Sequence, residues 1–363
     1  MTGRIRVALD ARMVENSGIG TFIRNIVPFL AAAPGVELTT LGVAETLACY
    51  PWFDRSRFVP LKSPIYGLGE QKELPFRVPT CDVFWSPHYN VPLLPIRAKW
   101  RLVTIHDVFH LAHLEDLPWL QQAYARILLN GAVRLSKKVI TVSEFSRREI
   151  RKYLRVKEEK LEVVACGRDP DFSQGFRRKI GGEKYVLFVG NVKPHKNLKG
   201  ALRGFARIAD RYPDLKFYIV GRKEGFVTGD PEVARLASET MQDKVVFTGH
   251  VSEVALKDYY GNAAALLFPS LYEGFGLPVL EAMSFGIPIL ASNRASLPEV
   301  GGESIRYFDP GVPGEMESRL IEILDGGWLP DPEKYRLQLE RFSWEKSAQR
   351  YLAILGGDAR GLT

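Results

Sequence analysis

The chain has 363 residues, of which 46% are hydrophobic, and a formal charge of +7. That length suits two domains of ordinary size. No apolar run approaches the roughly 20 residues needed to cross a bilayer. No basic run carries the interleaved aromatics that grip nucleic acid, so the positive balance points to an anionic substrate or an anionic lipid surface. The three cysteines, Cys49, Cys81 and Cys166, are odd in number and widely spaced, which predicts a reducing compartment and no disulfide framework. Met1 to Arg6 leads straight into a strand and offers no signal peptide.

Ile5 to Leu9 alternates and runs into Asp10, a short first strand. Ser17-Gly18-Ile19-Gly20-Thr21 follows, then a helix with Phe22, Ile23, Ile26, Val27 and Leu30 on its apolar face. Strand, glycine loop and helix form a geometry that lets a phosphate approach backbone N–H groups, although a lone Gly-x-Gly also fits a simple tight turn. Val36 to Val43 reads as the next strand, and residues 44–80 have no clear periodicity. Cys81 to Trp85 and Arg101 to Ile105 read as buried strands, each ending in a His-bearing loop: Ser86-Pro87-His88-Tyr89-Asn90 and His106-Asp107. His106, His110 and His113 with Asp107 and Glu115 have a superficial metal-ligand look. No cysteine or second cluster completes a tetrahedral site, so no metal is expected. Arg97, Lys99, Trp100 and Arg101 form a candidate patch for docking on an anionic membrane face, or an ordinary strand lead-in. Leu120 to Leu135 is a long helix. In the stretch from Val139 to Ser146 a strand runs into Ser143, which is placed to cap a helix. Leu161 to Ala165 is another strand. Asp169-Pro170-Asp171 reads as a turn at the end of the first domain, and residues 173–183 read as a linker.

The second half opens with the buried strand Tyr185 to Val189 and the loop Gly190-Asn191-Val192-Lys193-Pro194-His195-Lys196-Asn197. A lysine beside a helix start adds a point charge to the helix dipole and suits a phosphate. Lys216 to Val220 and Lys244 to Thr248 are strands ending in Gly221 and Gly249. Ala263 to Phe268 is a buried strand, followed by Glu273-Gly274-Phe275-Gly276-Leu277-Pro278-Val279-Leu280-Glu281-Ala282. Leu277, Leu280 and Met283 fall at helical spacing, so a helix starts near Pro278, where a proline is tolerated. Gly274 and Gly276 permit close approach to the backbone. Glu273 on the loop and Glu281 on the helix flank this anion cradle, which suits a ligand with hydroxyls on both sides of a phosphate. Ile287 to Ala291 is a strand. Leu320 to Leu324, Tyr335 to Leu339 and Trp344 to Leu355 are amphipathic helices. Strands alternating with helices twice over predict two parallel sheets.

EGFGLPVLEA, continued as MSFGIPILAS, resembles the signature of the retaining glycosyltransferases that carry two glutamates separated by seven residues (the family 4-like group). The resemblance implies an α/β fold of the GT-B type, with two Rossmann-like parallel-sheet domains facing a central cleft and a C-terminal helix crossing back to the first. Its boundaries here would be an acceptor-side domain at 1–172, with the returning helix at 343–358. A linker would follow at 173–183 and a nucleotide-sugar-binding domain at 184–342. By resemblance, Glu273 contacts the donor sugar hydroxyls, the backbone from Gly274 through Phe275, Gly276 and Leu277 binds sugar and phosphate, and Glu281 holds the ribose. Gly18 and Gly20 approach the donor phosphate, and His106 contacts the donor sugar. Gly249 and Val251 lie in the turn that contacts the base. Lys196 matches the second member of the family's basic pair, while Asn191 stands where the first is usually arginine. Lys193 or Arg222 would then supply the missing charge. His88 and Asn90 are candidate acceptor residues.

LDAR…SGIGTFIRN, WSPHYN, VTIHDVFH, ITVSEFSRREI and GNVKPHKNL look most like bacterial mannosyltransferases of O-antigen and other envelope polysaccharides. The resemblance implies GDP-mannose as donor, with UDP-sugars as the alternative, and a lipid-linked or saccharide acceptor. It implies no metal or other cofactor, and a cytoplasmic protein at the inner face of the plasma membrane. A non-catalytic nucleotide-sugar sensor and a two-domain sugar-phosphate epimerase are the competing classes.

Overall fold

In this computed structural model the structure describes residues 3–113, 118–177, 182–221, 233, 235–237 and 243–360. The chain divides into two compact units: Met1–Gly167 with Ser343–Thr363, and Arg168–Phe342. The crossover falls at Gly167 rather than near residue 172, because Phe172 packs edge-on against Tyr260 and Phe285, with ring centroids at 6.0 and 5.6 Å. Phe176, inside the expected linker, also packs on Phe285.

The elements of the first unit are β1 (Ile5–Asp10), α1 (Ser17–Ala32), β2 (Val36–Gly42), α2 (Ala44–Leu47), β3 (Arg57–Pro60), α3 (Leu68–Arg77), β4 (Cys81–Ser86), β5 (Ala98–Thr104), α4 (Phe109–Ala112), α5 (Trp119–Leu135), β6 (Lys138–Thr141), α6 (Glu144–Tyr153) and β7 (Leu161–Val163). The seven strands are all parallel, in the order β3-β2-β1-β4-β5-β6-β7. The order reverses direction between β1 and β4, and open α/β sheets bind ligands beyond the carboxyl ends of strands at such a switch point. α1 buries Phe22, Ile23, Ile26, Val27 and Leu30, the stripe that its periodicity predicts. α6 starts at Ser143, whose side chain accepts a hydrogen bond from the Ser146 N–H at 3.0 Å. β3 and α3 lie in the stretch for which the sequence offered no assignment.

The elements of the second unit are β8 (Tyr185–Val189), α7 (Leu198–Ile208), β9 (Lys216–Val220), β10 (Val245–Gly249), α8 (Glu253–Asn262), β11 (Ala265–Phe268), α9 (Leu277–Ser284), β12 (Ile289–Ser292), α10 (Leu297–Gly301), β13 (Arg306–Phe308), α11 (Glu315–Leu324) and α12 (Pro332–Glu340). Its six strands are again all parallel, in the order β10-β9-β8-β11-β12-β13, with the reversal between β8 and β11. Phe188, Phe205, Phe217 and Leu267 lie in its core. The last helix, α13 (Trp344–Arg360), belongs to the first unit. It packs on α1 through Phe22, whose ring centroid is 5.7 Å from that of Tyr351 and 6.1 Å from that of Trp344. The Tyr351 hydroxyl meets Thr104 Oγ1 at 2.9 Å, and Thr104 also accepts from the Trp85 indole at 3.0 Å. Gly167 is required where the chain changes unit, since a Cβ there would sit 2.0 Å from the Trp344 nitrogen. Among the described residues no helix is long and apolar enough to cross a membrane.

Candidate active site

In the second unit, the loops after β8 and β11 leave the sheet on either side of its switch point. The first ends in a 3-10 turn, Pro194–Lys196, and α7 follows it. Between them Asn197 adopts a left-handed backbone, φ +53°. The Leu271 N–H donates to the His195 carbonyl at 2.7 Å, which ties the two loops together. Across that tie the Lys196 ammonium meets Glu273 Oε1 at 2.5 Å, with both side chains mostly buried. Lys196 Nζ also lies 5.7 Å from the centroid of the Phe268 ring. An ammonium has three donors, so the contact with Glu273 leaves two for an anionic ligand.

The Glu273 loop is held from beneath. The Ser296 hydroxyl, fully buried, lies 3.0 Å from the Glu273 carbonyl and 2.7 Å from that of Phe275. Gly276 turns the chain into α9 at φ +108°, with Pro278 in the first turn. A Cβ at Gly276 would lie 2.8 Å from Leu297 Cδ2, so both backbone and packing require glycine there. Gly274, Phe275 and Gly276 are buried, and Leu277 is half-buried. Glu281 follows on α9 and accepts a hydrogen bond from the Tyr260 hydroxyl at 2.6 Å. Burial pushes its carboxyl above the ordinary range, against the pull of Tyr260. Gly249 ends β10 at φ +72°, and half-buried Val251 follows it. Asn191 is half-buried and Lys193 exposed, both on the β8 loop. Arg222 lies outside the described residues.

In the first unit, Gly18 and Gly20 occupy the first turn of α1 and behave differently. A Cβ on Gly18 would meet nothing within 4 Å, whereas one on Gly20 would sit 2.4 Å from the Val14 carbonyl oxygen. Gly18 is therefore the open position and Gly20 the packing position. His106, just past β5, has Nε2 3.0 Å from the Pro87 carbonyl and packs edge-on against Phe22 at 5.0 Å. The carbonyl can only accept, so Nε2 carries the hydrogen and donates, and burial lowers the pKa of the ring.

His88 and Asn90 lie on the loop after β4 and are both buried. His88 lies against Tyr89 with centroids 4.0 Å apart, and its Nε2 is 3.3 Å from the Tyr66 hydroxyl. Burial holds its pKa well below the usual value, with His106 and His110 adding to the effect. The Asn90 amide faces inward. Its Nδ2 donates to Glu70 Oε1, and its Oδ1 accepts from the Tyr124 hydroxyl at 3.3 Å. Asn90 is thus a brace within the fold. Glu70 itself carries no signal in the sequence, yet it is fully buried on α3. Its Oε2 pairs with Arg12 Nη1 at 3.1 Å, and its Oε1 also accepts from Tyr124 at 3.1 Å. Burial raises its pKa, while Asn90, Arg12 and Tyr124 pull it down.

Of the two readings of Arg97, Lys99, Trp100 and Arg101, the structure favours the strand lead-in, with the last two turned inward. Trp100 is 5% and Arg101 9% exposed. Arg101 turns inward, donating to the Pro92 carbonyl at 2.5 Å and the Leu94 carbonyl at 2.7 Å, and Lys99 pairs with Asp82 at 3.1 Å. Among the described residues no three His, Cys, Asp or Glu side chains gather as a metal site. His113 instead stacks on Phe109, and Glu115 lies outside the described residues.

The family model for glycosyl transferases group 1 matches residues 171–341, and that for glycosyltransferase family 4 matches residues 16–172. The O-antigen chain mannosyltransferase B of Escherichia coli is 30% identical over 279 residues, 72% of this chain and 71% of that protein. The chain belongs to this glycosyltransferase family. A second relative of the glycosyltransferase is the O-antigen chain mannosyltransferase RfbU of Salmonella typhimurium, 28% identical over 295 residues, 81% of this chain and 79% of that one. Two solved structures share the fold at low identity. Sucrose-phosphate synthase from Thermosynechococcus elongatus has a TM-score of 0.76 at 18% identity, over 99% of this chain and 100% of that one. Anabaena Alr3699/HepE in complex with UDP and glucose has a TM-score of 0.73 at 14% identity, over 98% of this chain and 100% of that one. The two parallel-sheet units of the glycosyltransferase are thus the Rossmann-like domains of the GT-B fold.

Proposed function

We propose that this glycosyltransferase is a retaining mannosyltransferase. It moves mannose from GDP-mannose to a lipid-linked or saccharide acceptor in the synthesis of a cell-envelope polysaccharide. The reading rests chiefly on the Lys196–Glu273 pair at the switch point of the second unit, where an ammonium and a carboxylate sit 2.5 Å apart beside an α-helix start. The names of the E. coli and Salmonella relatives support mannose and O-antigen-type products. In this reading Lys196 holds the diphosphate, Glu273 takes the sugar hydroxyls, and the N–H groups from Gly274 to Leu277 face the phosphate. Gly249 and Val251 lie under the base, and Glu281 takes the ribose.

The bond between the anomeric carbon and the diphosphate oxygen breaks, and the electron pair leaves with the diphosphate. Lys196 and the loop N–H groups stabilise that developing charge. An acceptor hydroxyl attacks the same face, and its proton passes to a departing phosphate oxygen. Lys196 supplies the positive charge, so turnover is expected to survive chelator treatment. The net charge of +7 favours attraction to an anionic inner leaflet, the site proposed for a lipid-linked acceptor.

The test is a thermal-shift panel of GDP-, UDP- and ADP-sugars, followed by a transfer assay with the donor that stabilises most. A selective shift with GDP-mannose and transfer with retained configuration are expected. Binding without either transfer or donor hydrolysis would make the protein a sensor, and preference for a UDP-sugar would overturn the donor assignment.

A further inference from the structure

The loop after β4 is fixed by side chains reaching in from α3 and β5. On α3, adjacent residues grip it at three points. Glu70 accepts from the Asn90 amide; the Gln71 amide donates to the Val91 carbonyl at 3.1 Å; and Gln71 Oε1 accepts from the Leu93 N–H at 2.9 Å. From β5, Arg101 holds the carbonyls of Pro92 and Leu94. Glu70 reaches further. Its ion-pair partner Arg12 donates to the Ser63 carbonyl at 3.2 Å and forms a two-point pair with Asp10, at 2.8 and 2.6 Å. One buried carboxylate therefore ties together the end of β1, segment 63–66, the β4 loop and α5.

Two side chains stand over that network. Tyr66 has a left-handed backbone, φ +66°, which is costly for a bulky residue and persists only where its surroundings hold it. The residue is 47% exposed, while its hydroxyl meets His88 Nε2. His88 is 8% exposed, and its Nδ1 is buried without a hydrogen-bond partner. An exposed tyrosine on strained backbone beside a buried, unsatisfied imidazole nitrogen is an arrangement that a hydroxylated ring would complete. The sugar would lay its apolar face on Tyr66 and offer a hydroxyl to His88.

We propose that Glu70 is the positioning residue of a saccharide acceptor subsite formed by Tyr66 and His88. The proposal builds on the transfer reading above. Glu70 acts through Arg12 on segment 63–66 and through Asn90 on the β4 loop, so losing its charge loosens both at once.

The test uses the full-length protein with GDP-mannose as donor and octyl α-mannoside as acceptor probe. Glu70→Gln is expected to raise the acceptor KM about tenfold while the donor KM stays within about twofold, and Tyr66→Ala to shift the acceptor KM in the same direction. Tyr124→Phe keeps the carboxylate and removes the hydroxyl that contacts both Glu70 and Asn90, so a rise of about twofold to fivefold is expected even if Glu70→Gln folds poorly. A purely structural role would move both KM values together or lower only the active fraction, and that result overturns the proposal. Hydrogen–deuterium exchange gives a readout free of the transfer reading. Glu70→Gln should speed exchange in 63–67 and 87–94 and leave 269–277 unchanged. Unchanged exchange in the first two segments overturns the proposal even where transfer is intact. A wild-type protein without transfer activity removes the mannosyltransferase reading instead.

Discussion

The ligand-side loops of the two units are built in opposite ways. In the second unit the proposed donor site is nearly continuous in sequence: Glu273 to Glu281 supplies loop, helix start and both carboxylates, and one partner, Lys196, comes from the neighbouring loop. In the first unit the corresponding region is assembled from Asp10 and Arg12, Glu70 and Gln71, His88 and Asn90, His106, and Tyr124, which lie on five separate segments. A site of the first kind binds through backbone geometry and one or two charges. A site of the second kind depends on mutual bracing, because each side chain is fixed by another. Variants should therefore fail differently in the two places: in the second unit by loss of chemistry, in the first by loss of register.

The largest effect is expected at Lys196. Its replacement by alanine removes the positive charge beside Glu273 and leaves that mostly buried carboxylate without its closest cation. A loss of about a hundredfold or more in kcat/KM is expected, on the scale seen when a preorganised charge-stabilising donor is deleted. Glu273→Gln should cost a similar factor and leave the melting temperature nearly unchanged. Wild-type turnover in both variants, measured on a donor already shown to bind, would remove the pair from the mechanism.

Next comes Gly276→Ala. The φ of +108° is forbidding for any Cβ, and Leu297 already fills the space. A destabilisation of about 1–3 kcal/mol is expected from the backbone alone. The donor KM should rise with it, since the N–H groups of this turn are displaced. Gly18→Ala is the contrasting control in the first unit, where a Cβ meets open space. It should leave the melting temperature within error and report only on ligand approach. Equal destabilisation by both changes would contradict the geometry.

The same contrast explains what could be read from the sequence. The parallel strands of the second unit, the helix start at Pro278 and the pair Glu273 and Glu281 follow from a contiguous phrase, because loop, glycine and cap are local features. α1 and the Ser143 cap were equally legible, for the same reason. β3 escaped because it is a four-residue edge strand, Arg57–Pro60, with no buried face and a terminal proline. β13 has only three residues. Glu70 was invisible because a glutamate on a polar, proline-containing helix reads as solvated. Only the spacing of Glu70 with Leu74, both buried on α3, hints at an inward face. Arg101 was legible as part of a strand lead-in, but a basic residue there gives no sign that its head turns inward to carbonyls.

Acid and base should also separate the two regions. His88 and His106 have lowered pKa values in the fold, so below the ordinary histidine range the unfolded chain takes up protons that the folded one refuses. Their contribution to stability is therefore intact above about pH 6.5, the unperturbed value, and declines as pH falls. Glu281 has the opposite sign. Its raised pKa favours the neutral form in the fold, so its ionisation penalises folding as pH rises from the carboxylate range through the raised value. Glu281→Gln should then hold or raise the melting temperature at pH 7.5 and weaken donor binding. A melting-temperature profile between pH 5 and 8 for wild type, His88→Gln and Glu281→Gln checks both signs. A steeper acid loss in His88→Gln than in wild type would refute the first.

The smallest effect is a matched pair of helix caps. Ser143 is fully buried and accepts from the Ser146 N–H at 3.0 Å at the start of α6, which also places the Ser146 hydroxyl 2.9 Å from the His106 carbonyl. Ser252 caps α8 in the second unit through a longer bond, 3.3 Å, in an exposed position. Removing a serine cap typically costs about 1 kcal/mol. A buried N–H has no water to replace the lost acceptor, whereas an exposed one does. Ser143→Ala is thus expected to lower the melting temperature by about 2–4 °C, the shift that 1 kcal/mol produces in a domain of this size, and Ser252→Ala by less than half of that. Because the Ser143 cap also seats the His106 backbone, its loss should lower turnover slightly as well. Thermal melts and initial rates on the two variants separate a cap that supports only a helix from one that supports a helix and the candidate site together.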